Sequence, residues 1–111
     1  MAERRKPQEA PFPSRIQPMV PAETNQKPFR SNLWICEAKW NGIRTIVFIR
    51  NPQDIVIRTS SGTNVTENFP EFAEGFAMLG QRGSMILDGE TVSGEGKSKV
   101  DLNAVFTRFK S

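Results

Sequence analysis

Residues 43–59 constrain the fold more than any other stretch. Ile43 to Arg50 alternates, imperfectly, and is rich in β-branched residues; Asn51-Pro52-Gln53-Asp54 carries turn chemistry; Ile55-Val56-Ile57-Arg58-Thr59 is a second β-branched run. Such side chains suit a pleated, half-buried surface, and alternation turns one face inward. Pro52 has its φ fixed near the value a turn requires. Two strands joined by so short a turn run antiparallel, so an antiparallel sheet is the framework to which the rest must attach.

The flanking segments extend that framework. Leu33-Trp34-Ile35-Cys36-Glu37-Ala38 reads as a buried strand, and Asn41-Gly42 after it as a tight turn. Beyond the loop Ser60–Asn64, Phe69, Phe72, Phe76 and Leu79 fall at helical spacing on one face. Asn68 is the expected N-cap of that helix, with Glu71 three residues on and Gly80 at its stop. Met85 to Val92 reads as a further strand, Ser93 to Lys99 as a loop, and a short helix begins near Leu102. The predicted class is α+β: a twisted, mostly antiparallel sheet with one or two helices and an open edge.

Six of the eight prolines fall in residues 1–30, with several charges and little periodicity, so this part reads as an extended or disordered arm. Its most apolar piece, Arg15 to Val20, is expected to pack on the body. The basic run Arg4-Arg5-Lys6 reads as a solvated tail, with a DNA-touching arm as the other reading.

Composition narrows the chemistry. Histidine is absent, which removes Ser–His and Cys–His nucleophile pairs and most zinc sites. Cys36 is the only cysteine, so no internal disulfide can form and a reducing compartment fits. The formal charge is +3 and the pI about 9.4, compatible with a polyanionic partner or with an ordinary solvated surface. No apolar run approaches the ~20 residues of a membrane span, and no apolar signal core opens the chain, so the expected location is cytoplasmic.

Lys39 is the residue with most chemical potential. Gly42 permits a close backbone approach, and Arg44 follows near the same loop. An amine and a guanidinium so placed can hold a nucleotide, and a lysine of lowered pKa is a nucleophile. Taken alone, Lys-x-x-Gly-x-Arg is a short string that reads more readily as a hairpin with ordinary surface charges.

Other pieces follow in order. Lys39-Trp40-Asn41-Gly42-Ile43-Arg44 resembles the K-x-D-G-x-R motif of covalent nucleotidyltransferases. Gln17-Pro18-Met19, Pro28-Phe29 and Trp34 to Ala38 resemble the approach to it in ATP-dependent DNA ligases. Arg58 to Gly62 with Val65 to Phe72 resembles S-R-N-G-x-x-x-T-x-x-F-P-E-L. Ile86 to Val92 resembles L-D-G-E-L-V, and Leu102 to Arg108 resembles the F-x-x-L-x-x-R helix. The resemblance spans residues 16–110 and is strongest to the bacterial and archaeal ligases, including the ligase domains of end-joining enzymes.

That resemblance implies an incomplete, ATP-grasp-like nucleotidyltransferase domain, its front portion over residues 31–111, with no OB-fold. Lys39 would take AMP from ATP, pass it to the 5′-phosphate of nicked double-stranded DNA, and so allow sealing, with Mg²⁺ neutralising phosphate charge. Arg44 and Glu90 match positions that bind the ribose, and Glu37 the position beside the adenine. Glu90 is also the candidate metal ligand, and Arg58 a candidate DNA contact. Each has a plainer reading: Asp88 and Glu90 as an exposed pair, Glu37 as a solvent-facing strand residue, Trp34 and Trp40 as packing groups.

The sequence also departs from the pattern. Asn41 stands at the aspartate position, Ser60 at the arginine and Ser61 at the asparagine of S-R-N-G. Arg58 lies two positions before Ser60, about 6–7 Å along a strand. The family's later motifs, a further glutamate and a lysine pair, have no counterpart after Arg108, so missing downstream ligase segments are expected. The alternatives are a non-catalytic degenerate relative and a small basic nucleic-acid-binding module.

Overall fold

The computed structural model describes residues 10–25, 27, 31–94 and 101–110. Its elements run β1 (Ile43–Asn51), β2 (Asp54–Thr59), a 3-10 turn (Thr66–Asn68), α1 (Pro70–Gly80), β3 (Met85–Thr91) and α2 (Leu102–Lys110). The expected α+β class holds: one three-stranded sheet in the order β2-β1-β3, antiparallel at both seams, with two helices.

β1 is the central strand, and Thr45 to Ile49 are all buried. Register sorts the faces. Val47 lies opposite Ile57 and Leu87, whereas Ile46 lies opposite Arg58 and Asp88. On the first face Val47, Ile49 and Ile57 join Val65 and Phe69 in the core, with Phe72, Phe76, Leu79 and Phe109 packed on them. Thr45 and Thr91 close this face with a buried hydroxyl–hydroxyl bond of 2.8 Å.

The second face carries Arg44, Ile46, Phe48, Arg50, Arg58, Asp88 and Glu90, as the two-residue period of the paired strands requires. The N-terminal segment lies over it. The Arg50 guanidinium sits 5.0 Å from the Phe12 ring centre, and Arg58 Nε donates to the Ser14 carbonyl at 3.2 Å. Pro18 is the buried residue of this segment, while Met19 and Val20 are largely exposed. Ile46 and Phe48, 2% and 4% exposed, show that this face too is covered. Burial of each such side chain contributes roughly 1.5–3 kcal/mol.

α1 starts with Pro70 at its first turn, where a missing N–H costs nothing. Asn68 is not its N-cap: Phe69 holds that position, and no side chain caps it. Asn68 Nδ2 instead donates to the Arg108 carbonyl at 2.9 Å, and Glu71 pairs with Arg108 Nη2 at 2.7 Å. Arg108 also donates to the Asn68 carbonyl and covers the Phe69 ring at 4.8 Å. Charge-assisted bonds to a distant arginine have displaced the local capping box. Gly80 ends α1 as expected, but for contact: a Cβ there would lie 2.8 Å from Pro52 N and 2.9 Å from Asn51 C.

The expected strand over Leu33–Ala38 does not form. Leu33 and Ile35 are 89% and 94% exposed, Trp34 and Trp40 are largely exposed, and Cys36 is an exposed free thiol. A strand needs a backbone partner; both edges of β1 are taken by β2 and β3, and the segment pairs with neither outer edge of that sheet. Without that strand Asn41-Gly42 is a bend leading into β1, not a hairpin turn. The basic run Arg4-Arg5-Lys6, Pro28-Phe29 and residues 95–99 of the expected loop lie outside the described residues. Among the described residues, no helix is long and apolar enough to cross a membrane.

Candidate functional site

Over the β1–β3 seam the second face of the sheet opens into a cleft of about 920 Å³. β1 supplies Arg44, and β3 supplies Asp88 and Glu90. The segment before β1 contributes Glu37, Lys39 and Trp40, and Pro18 to Ala22 line the opposite wall. Lys39, Glu37, Arg44 and Glu90, singled out separately in the sequence, therefore share one cavity. Arg58 does not line it.

Arg44 is the best-held side chain in the cleft. Its Nε donates to Asp88 Oδ1 at 3.0 Å and its Nη2 to Asp88 Oδ2 at 2.6 Å, while Nη1 donates to the Met19 carbonyl. Donating to Asp88 raises the guanidinium above its ordinary value, and accepting the same bond holds the Asp88 carboxyl below its usual range. Glu90, directly opposite Arg44 in register, has no ion-pair partner among the described residues. Asp88 as the partner of Arg44 was missed in the sequence, although its spacing from Glu90 puts both on one face.

Gly42 has a structural reason as well. A Cβ there would lie 2.2 Å from the Thr91 carbonyl oxygen and 2.8 Å from Val92 Cγ1. The close approach it permits is to the end of β3, which brings Lys39 and Glu90 to the same cleft. Arg58 has spent two donors on the backbone, Nε on Ser14 and Nη1 on the Gly62 carbonyl at 3.0 Å. Its Nη2 carries no hydrogen bond among the described residues.

The cleft falls within the roughly 300–1,000 Å³ of small-molecule sites. It offers one amine, one directed guanidinium, two carboxylates without an ion-pair partner among the described residues, and the apolar surfaces of Pro18 and Trp40. Carboxylates accept sugar hydroxyls, a guanidinium donates to phosphate or sugar oxygens, and a neutral amine attacks phosphorus. No group of three metal-ligating side chains exists among the described residues. Glu90 with oxygens from a bound nucleotide fits the sparse protein ligation that magnesium accepts.

Residues 16–111 match the family model described as an ATP dependent DNA ligase domain. The chain is 32% identical over 93 residues to the multifunctional non-homologous end joining protein LigD of Mycolicibacterium smegmatis, covering 84% of this chain and 12% of that protein. It is 32% identical over 78 residues to DNA ligase C1 of the same organism, covering 69% of this chain and 22% of the relative. The SPbeta prophage-derived DNA ligase-like protein LigB of Bacillus subtilis is 29% identical over 96 residues, covering 86% and 33%. The chain thus spans a third or less of the length of these relatives. No solved structure matches it.

Proposed function

The chain belongs to the ATP-dependent DNA ligase domain family, and from that premise we propose that it carries the front of an adenylation site that seals nicked DNA through a lysyl-AMP intermediate on Lys39. The observation that carries this reading is the convergence of Lys39, Arg44, Glu37 and Glu90 on one cleft from separate segments.

The chemistry runs in three displacements. The neutral Lys39 amine attacks the α-phosphorus of ATP. A nitrogen–phosphorus bond forms, the bond to pyrophosphate breaks, and the amine loses a proton. An oxygen of the 5′-phosphate at a nick then takes the AMP, and Lys39 recovers its proton. Last, the 3′-hydroxyl attacks that 5′-phosphate, AMP leaves, and a phosphodiester is closed. Arg44 and Glu90 orient the ribose, and Glu37 lies beside the adenine. Glu90 would hold a magnesium ion, which supplies neutralisation of phosphate charge. Arg58 offers its remaining donor, Nη2, to a DNA phosphate.

On its own the chain is inactive or nearly so. Lys39 sits on the exposed segment 32–40, not on a packed strand, and positioning supplies much of the rate in such a transfer. The second reading, a non-catalytic relative, draws on Asn41, Ser60 and Ser61 and on the commitment of Arg44 to Asp88 and Met19. Intact mass after incubation with ATP and magnesium separates the two. One AMP per chain, absent from Lys39→Ala, supports the transferase; a chain that binds ATP yet never gains AMP supports the relative.

A further inference from the structure

The N-terminal segment is held differently on the two sides of Pro18. Before it, side chains hold the segment at several points. Arg15 Nη2 donates to the Ser61 carbonyl at 3.0 Å, and a Cβ at Gly62, whose φ is +92°, would lie 2.5 Å from the same atom. Arg58 Nε holds the Ser14 carbonyl, the Phe12 ring lies against Arg50, and Pro18 itself is buried. After Pro18 the side chains turn away: Met19 and Val20 are 84% and 77% exposed. Here the tie to the body runs through the main chain, the Met19 carbonyl accepting from Arg44 Nη1. Pro21 fixes its own φ and confines Val20 to extended backbone, so this short stretch is stiff.

We propose that residues 19–22 are an autoinhibitory latch on the cleft, hinged at Pro18. In the nucleotide-free chain the Met19 carbonyl holds Arg44, and a nucleotide enters by displacing it. This deepens the ligase reading and rests on it, because the competing ligand is the ribose assigned to Arg44. Asp88 takes Nε and Nη2 of Arg44, which fixes the plane of the guanidinium and aims Nη1 at the wall formed by Pro18 to Ala22. A ribose oxygen and the Met19 carbonyl therefore compete for one nitrogen. Release gives up little apolar contact, since the Met19 and Val20 side chains already lie in water. The anchors before Pro18 keep the latch beside the cleft, ready to close again.

A fixed wall would help to hold a nucleotide, whereas a latch competes with it, so the two roles differ in sign. Affinity of the full chain for α,β-methylene ATP with magnesium is measured by isothermal titration; this probe cannot transfer AMP to a lysine. Pro21→Gly loosens the stretch at an exposed position and leaves Arg44 in place. Glycine gives the released stretch more conformations, an entropy difference that shifts equilibria about two- to five-fold. The variant is expected to bind tighter by about that factor, a gain that a misfolded chain could not show. A second arm leaves the latch backbone unaltered: a nitroxide is attached at Met19→Cys in a Cys36→Ser chain. Its mobility should rise when the probe binds, and should already be high without probe when Arg44→Gln is added. Binding by neither the parent nor Pro21→Gly removes the nucleotide reading and the latch with it. Binding by both without a gain in Pro21→Gly, or a nitroxide that the probe leaves unchanged or restrains, removes the latch alone.

Discussion

Arg44 and Asp88 form a two-pronged ion pair diagonally across the β1–β3 seam, at 3.0 and 2.6 Å. Register alone sets Arg44 opposite Glu90. By taking the residue two places along, the guanidinium leaves the Glu90 carboxylate at the cleft without an ion-pair partner among the described residues.

That pair and its counterpart, Glu71 with Arg108, make stability acid-sensitive. Hydrogen bonding to Arg44 lowers the Asp88 value, and the backbone hydrogen bond of Glu71 followed by Arg108 lowers that of Glu71. A carboxyl whose folded value lies below its unfolded one stabilises the fold fully above the unfolded value. That contribution is lost as pH falls through the folded one. With unfolded values of about 3.9 and 4.3, the thermal midpoint is expected to hold from pH 7 to about 5 and to decline below about 4. The double variant Asp88→Asn, Glu71→Gln should show a lower midpoint at pH 7 and a shallower acid decline. An acid profile identical to that of the parent would assign the decline to other groups.

Gly75 and Gly80, both in α1, should respond to alanine with opposite signs. Nothing lies within 4 Å of a Cβ at Gly75, so Gly75→Ala should stabilise by about 0.5–1 kcal/mol through helix propensity. At Gly80 the Cβ meets the backbone of Asn51 and Pro52, and Gly80→Ala should cost about 1–3 kcal/mol as α1 is pushed from the β1–β2 turn. Urea denaturation of both variants gives the comparison.

Gly62→Ala combines a strained left-handed backbone with a clash against Arg15. A loss of about 1–2 kcal/mol is expected. Faster hydrogen exchange over residues 14–16 should accompany it, because the turn that holds Arg15 is displaced. Unchanged exchange there would mean that Gly62 does not hold the segment.

Phe69 is 4% exposed, stacks on Phe72 at 4.9 Å and meets the Phe109 ring edge-on at 5.0 Å. Phe69→Ala should cost about 3–5 kcal/mol. Because Arg108 lies over the same ring, loosened α2 contacts should appear as exchange in residues 102–110.

The legible parts of this fold are those decided locally. β1 and β2 follow from β-branched runs around Pro52, and α1 from the spacing of Phe69, Phe72, Phe76 and Leu79. What the sequence misassigned depends on partners far along the chain. Leu33–Ala38 has the composition of a strand but no free β1 edge to join. Asn68 and Glu71 have the spacing of a capping box but are drawn to Arg108, 40 and 37 residues on. At the cleft, the family resemblance singled out Lys39, Arg44, Glu37 and Glu90, which do share a cavity. The Arg44–Asp88 diagonal and the seat of Arg15 on Gly62 depend on register and on a chain crossing that no local pattern encodes.

The most direct test of Lys39 as AMP acceptor is intact-mass analysis after prolonged incubation with ATP and magnesium, followed by peptide mapping. A substoichiometric fraction carrying one AMP is expected, mapped to Lys39 and absent from Lys39→Ala. AMP on another residue, an equal adduct in Lys39→Ala, or no adduct at any time would contradict it.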